Sequence, residues 1–92
     1  METKNIKVYV QVNVDFNSDG LMLPRELIWE DGEKYTIDRV IDIQQAAAMK
    51  AGGQGDRYTI EVRGHKSYLF FERSSNLTGN NIGRWFVERR VA

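Results

Sequence analysis

Residues 15–26 read Asp-Phe-Asn-Ser-Asp-Gly-Leu-Met-Leu-Pro-Arg-Glu and satisfy the full pattern D-x-[DN]-x-[DN]-G-x5-E of a calcium-binding loop. The chemistry would be coherent. Asp15, Asn17 and Asp19 offer oxygens, Gly20 makes the sharp turn, Leu21 offers a carbonyl and Glu26 a bidentate carboxylate. The setting opposes it. A calcium loop of this type is entered from a helix, whereas the segment before Asp15 alternates like a strand, and Leu23 and Pro24 stand where a polar ligand and a pliable exit belong. Asp, Asn, Ser and Gly are also what an ordinary β-turn takes. The expectation is a structural turn, with calcium binding at this loop as an alternative and no other metal site.

A second set combines arginine with aromatic rings in the second half of the chain: Arg57, Arg63, Tyr68, Phe70, Arg84 and Trp85. Rings with interleaved guanidiniums serve single-stranded nucleic acid, by stacking on bases and neutralising phosphates. The same rings could anchor a protein partner, or lie under a second core layer. The acids Glu30, Asp31 and Glu33 cluster at a hairpin tip, too exposed for the pKa shifts that acid–base catalysis requires. His65 is the single histidine and falls at another turn, with neither a cysteine nor a carboxylate pair beside it. Gly52-Gly53-Gln54-Gly55 lacks the Lys and Ser/Thr of a phosphate loop and reads as a flexible connection. No constellation offers a nucleophile with a base, so the chain is expected not to be an enzyme and to hold no cofactor.

The elements that position these residues follow from period-two patterning. Ile6, Val8, Val10, Val12, Val14 and Phe16 alternate with Lys7, Tyr9, Gln11, Asn13 and Asp15, which predicts one long strand with one buried face. Leu21 to Arg25 resists assignment, because Pro24 cannot donate to a ladder and suits an edge or the start of a strand. Asp31-Gly32 between two β-rich runs predicts a two-residue hairpin, with Glu30 opposite Glu33 and Ile28 opposite Tyr35. A bulge or bend is expected near Arg39-Val40, where alternation breaks. Gln44 to Lys50 favours at most a short helical turn. Gly64-His65 predicts a second hairpin, with Val62 facing Ser67, Ile60 facing Leu69 and Tyr58 facing Phe71. Tyr68 and Phe70 then leave the core face. Residues 73–83 form a polar loop, and Arg84 to Glu88 a final strand.

Ninety-two residues make one domain. There is no cysteine, hence no disulfide framework and no thiolate metal site. No apolar run approaches the ~18 residues of a membrane span, and the opening residues lack a secretory leader pattern, so a cytoplasmic protein that does not enter membranes is expected. The sequon Asn76-Leu77-Thr78 is then an accident of composition. Net charge is zero but uneven: residues 1–50 hold nine acids and six bases, residues 51–92 four acids and seven bases, six of them Arg.

Several stretches, among them Leu27-Ile28-Trp29-Glu30-Asp31-Gly32, Gly52-Gly53-Gln54-Gly55-Asp56-Arg57-Tyr58, Tyr68-Leu69-Phe70-Phe71-Glu72 and Arg84-Trp85-Phe86-Val87-Glu88, resemble a family of small uncharacterised bacterial proteins from about Val12 to Glu88. The resemblance implies a compact free-standing domain and carries over no activity and no functional residue.

The expected fold is all-β: a small curled sheet, barrel or roll of six or seven mostly antiparallel strands, SH3-like or OB-like in scale. The expected function is a protein–protein interaction module, acting on a partner or as a homo-oligomer. Tyr68, Phe70 and Trp85 would be its apolar anchors, and Arg57, Arg63 and Arg84 its rim. Single-stranded nucleic-acid binding through the same face is the alternative, with calcium binding at 15–26 a third.

Overall fold

The computed structural model describes residues 4–47, 54–73 and 82–91. Seven strands follow one another: β1 (Lys4–Phe16), β2 (Met22–Ile28), β3 (Lys34–Thr36), β4 (Arg39–Ala47), β5 (Gln54–Val62), β6 (His65–Arg73) and β7 (Gly83–Val91). They form one antiparallel sheet in the order β3-β2-β1-β7-β6-β5-β4. The sheet curls into a half-barrel, as the alternating pattern predicts.

Curling brings the two ends of this order together, because β3 and β4 are separated only by Ile37 and Asp38. The Ile37 amide donates to the Arg25 carbonyl of β2 at 2.9 Å, and the Asp38 amide to the Glu61 carbonyl of β5 at 2.8 Å. Residues 34–47 are therefore a single bent strand. Its first part pairs with β2 and its second with β5. β1 is shared in the same way: Lys4–Val10 pair with β7 and Gln11–Phe16 with β2. Beyond Arg25 the bent strand leaves β2, so a cleft opens between the start of β2 and β4.

Alternation decides the two faces. Leu27, Ile37, Tyr58, Ile60, Leu69, Phe71 and Trp85 are buried in one interior cluster, with Val10, Val12, Tyr35, Val40 and Val87 packed against it. The strict pattern of β1 does not bury its whole apolar face. Val8 and Val10 are half-buried, whereas Ile6, Val14 and Phe16 are exposed toward the two ends of the strand, each of which is paired on one side only.

Several local expectations need correction. No helical turn covers 44–47, which continue β4, and residues 48–50 lie outside the described residues. Pro24 does fit the expected strand entry, as the third residue of β2, opposite Val14 at a register shift and ahead of the stretch that pairs with β3, and it is buried. The Asp31-Gly32 hairpin is one residue out of the predicted register. Trp29 and Glu33 close a three-residue loop, Leu27 faces Tyr35 and Ile28 faces Lys34. Gly32 alone in that loop takes positive φ, at 87°, so the turn is not the two-residue type that requires it at both centres. The second turn is Arg63-Gly64, with φ of 51° and 79°, rather than Gly64-His65. Tyr58 consequently faces Leu69, and Ile60 faces Ser67. That slip is two residues and leaves every side chain on its expected face. The irregularity expected near Arg39-Val40 falls between Val40 and Asp42. The sequon and residues 74–81 of the polar loop lie outside the described residues.

Candidate functional site

The outer face of β1, β5, β6 and β7 carries four of the six arginine and aromatic candidates. Phe70 and Phe86 are directly opposed across β6 and β7 and stack with centroids 5.1 Å apart and planes 10° from parallel. Both are buried, Phe86 to 1% exposure, although they point away from the barrel interior. Long side chains cover them. The Lys7 ammonium sits 5.0 Å from the Phe86 centroid, and Tyr9 meets Phe86 edge-on at 5.8 Å. Strand pairing fixes this lid, since Tyr9 is opposite Phe86.

Glu72 holds the lid in place. It accepts from Lys7 Nζ at 2.5 Å, from Tyr9 Oη at 3.1 Å and from Arg84 Nη2 at 3.1 Å. Arg84 also lies 3.9 Å over the Tyr9 ring. Lys7, with help from Tyr9 and Arg84, holds the Glu72 carboxyl below the usual carboxylate range against the opposing effect of partial burial. Arg57 lies 4.8 Å over Tyr68 and donates to Gln44 Oε1 at 2.8 Å. Of the expected anchors only Tyr68 is exposed. Phe70 belongs to the covered outer layer, and Trp85 to the interior, where it packs on Tyr58 and Phe71 at 5.0 and 4.9 Å. Arg63 is not with the others. It stands at the β5–β6 turn, its guanidinium 4.8 Å over Tyr35. The six residues thus divide among an outer layer, the interior and one barrel end, which corrects the expectation of a single exposed face.

The calcium-like segment is a β-hairpin whose oxygens have separate partners. Asp15 accepts from Arg25 Nε at 2.7 Å, Asn17 Oδ1 accepts the amides of Asp19 and Leu21, and Glu26 accepts from Asn13 at 2.9 Å. Among the described residues no group of three or more His, Cys, Asp or Glu is placed to hold a metal ion. At the β2–β3 tip Glu30 is bound by Arg89, and Asp31 accepts the Glu33 amide. No helix among the described residues is long and apolar enough to cross a membrane.

The two barrel ends differ. The end holding the β2–β3 and β5–β6 turns has a cleft of about 260 Å³ among Leu27, Trp29, Tyr35, Ile60, Val62 and Val87, with Arg63 on Tyr35 and Arg89 on Trp29 at 5.3 Å on its rim. Among the described residues, the opposite end is also open and holds a larger cleft. There Phe16, Leu21, Ile43 and Ile82 surround a cleft of about 450 Å³ floored by Tyr58 and Phe71. Phe16 is 68% exposed, Ile82 57% and Leu21 49%. The hairpins place them together. Phe16 and Leu21 flank the β1–β2 turn, Ile43 lies opposite Tyr58 on β4, and Ile82 enters β7. The Tyr58 hydroxyl donates to the Met22 carbonyl at 3.1 Å, tying β5 to β2 across the cleft floor. Burial pushes the Tyr58 phenol above the usual tyrosine range, Asp56 pushes the same way and Arg73 opposes. Arg73 pairs with Asp56 at 3.0 Å on the rim.

Sequence pattern does not reveal this cluster because its members belong to separate stretches: Phe16 and Ile43 continue strand alternation, while Leu21 and Ile82 stand in stretches without it. The signal was available in the connectivity. In an up-and-down sheet alternate turns share an end, so apolar residues toward the β1–β2, β4–β5 and β6–β7 connections meet. No family model, no curated protein and no solved structure matches the chain.

Proposed function

We propose that this chain is a non-enzymatic protein-interaction module whose contact surface is the barrel end with the larger cleft, where one or two apolar side chains of a protein partner seat among Phe16, Leu21, Ile43 and Ile82. The observation that carries the reading is the convergence of these four exposed apolar residues on one cleft. Water-exposed apolar side chains that are gathered rather than scattered mark interaction sites. The cleft is wide enough for a side chain and has only a few polar groups to orient it. Its deepest polar group, the Tyr58 hydroxyl, is protonated and already bonded to a backbone carbonyl, which suits a passive wall better than a reacting group.

The outer face fits the role less well. Arg84 and Phe86 already occupy faces and edges of Tyr9, and Arg57 covers Tyr68. Rings so engaged are poor platforms for bases.

Amide chemical shifts of the labelled protein, titrated with N-acetyl-leucinamide and N-acetyl-tryptophanamide as single-side-chain probes, test the assignment. Shifts are expected at Leu21, Met22, Ile43 and Tyr58, and they should vanish in Phe16→Ser/Ile82→Ser. Shifts confined to residues around Tyr68 and Arg84 would move the surface to the outer face.

A further inference from the structure

The geometry points to a slot between β6 and β7 that takes an extended segment of another protein, paired along the β6 edge. The slot is separate from the cleft at Phe16, and the inference does not depend on that cleft.

The slot begins where a ladder stops. β6 and β7 pair from Arg73 opposite Gly83 as far as Phe70 opposite Phe86, where the two phenyl rings stack. Toward the β5–β6 turn, residues 65–69 keep only β5 as a ladder partner, and residues 87–91 keep only β1. Exposure follows the ladder: on β6, residues 65–68 are exposed and residues 69–71 buried. Successive residues of an antiparallel strand turn their N–H and C=O groups to alternate sides, so about half of the backbone groups of residues 65–69 face the slot.

An edge of this kind identifies its occupant by class. Only an extended backbone presents donors and acceptors at the strand spacing, and strand addition is how such an edge binds a peptide. Because β7 flanks the edge, the slot admits a single segment and not the sheet of a second copy. Residues 65–69 span roughly 17 Å, enough for about five residues.

The side-chain pockets match. On the inner face is the cleft of about 260 Å³ among Leu27, Trp29 and Ile60, and on the outer face is one of about 370 Å³ among Thr59, Lys66, Tyr68 and Phe70. Ser67 and Val87 line both, so the two pockets meet at the slot from opposite faces of the sheet. A segment laid along β6 sends successive side chains to opposite faces, one into each pocket. The inner walls are apolar and aromatic and suit an apolar side chain; the outer pocket, beside Lys66, suits a polar one. The segment is therefore apolar at every second residue.

Amide exchange of the labelled protein, with acetyl-Thr-Val-Thr-Leu-Thr-amide as the probe strand, tests the slot. In the free protein the amides of residues 65–69 should alternate between slow, where they donate to β5, and fast, where they face the slot. Saturating probe should slow the fast set at least tenfold and shift Ser67 and Val87, leaving Leu21 and Ile43 unmoved. Two versions of the probe, each N-methylated at one alternate set of residues, separate backbone pairing from side-chain adhesion. The version whose methyls meet β6 should bind at least tenfold more weakly than the other. Ser67, opposite Ile60, points inward, so Ser67→Leu fills the inner cleft. It should also weaken the probe at least tenfold, with a melting temperature no lower than that of wild type. Slow exchange at every amide of residues 65–69 in the free protein overturns the inference, because the edge would already have a partner. So does a probe that fails to bind at millimolar concentration, that binds equally well in both methylated versions, or that binds Ser67→Leu as it binds wild type.

Discussion

Phe86 lies on the face that period-two logic assigns to solvent, yet it is the largest side chain among those fully buried in the described residues. Replacing it with alanine should therefore behave as a core deletion. The structure supplies the terms. The ring stacks on Phe70 at 5.1 Å, takes the edge of Tyr9 at 5.8 Å and lies under the Lys7 ammonium at 5.0 Å. A buried Phe→Ala change costs about 3–5 kcal/mol, and the lower value applies here because Lys7 and Tyr9 can settle into the gap. A domain of this size has a total stability on the order of 5–14 kcal/mol, so the loss is a large fraction. At about 4–8 °C per kcal/mol the melting temperature should fall by roughly 12–24 °C. Urea unfolding followed by tryptophan fluorescence measures it. Tyr68→Ala, on the same face but 53% exposed, is the internal control and should stay within about 0.5 kcal/mol. A loss below about 1 kcal/mol for Phe86→Ala would refute the reasoning, because the outer layer would then be surface decoration rather than a second core.

Two further outcomes follow from particular contacts. Glu72 has its pKa lowered in the folded state by Lys7, Tyr9 and Arg84, so its contribution to stability is fully present above the ordinary carboxylate pKa and is lost as pH falls through the lowered value. In melts from neutral to acid pH, the advantage of wild type over Glu72→Gln should be greatest near neutrality and shrink toward strong acid; a constant gap would contradict the assignment. Gly55 allows β5 to pass Phe71, whose carbonyl oxygen would stand 2.3 Å from an added Cβ. Gly55→Ala must displace the β5–β6 pairing and should cost about 1–3 kcal/mol by denaturant titration.

The extent to which these features could be read from the sequence depended on parity. The β5–β6 turn lies one residue before the predicted Gly64-His65, which slips the pairing by two, and because side chains alternate with a period of two, Tyr68 and Phe70 still fall on the predicted face. The β2–β3 pairing slips by one, so Leu27 rather than Ile28 stands opposite Tyr35 on the core face, and Ile28 is only partly buried. Pattern could not show that Phe70 and Phe86 are covered, because the cover comes from Lys7 and Tyr9, some sixty residues earlier and brought over by strand pairing. Alternation by itself puts Trp85 and its sequence neighbour Arg84 on opposite faces, so one contact surface could not hold both. Gln44 to Ala47 favour helix intrinsically, yet the ladder to Arg57, Asp56, Gly55 and Gln54 overrides that preference.

The pairing of Lys4–Val10 with Trp85–Val91 has a consequence for biogenesis. On the ribosome, β1 emerges well before β7 and waits for it before one of its edges is satisfied, and the lid over Phe86 cannot close earlier. Until then a valine-rich edge is bare, open to any neighbouring nascent chain with a matching stripe. Slow, late-closing maturation is the expected kinetic signature, because ends so distant along the chain meet only after most of its length is in place.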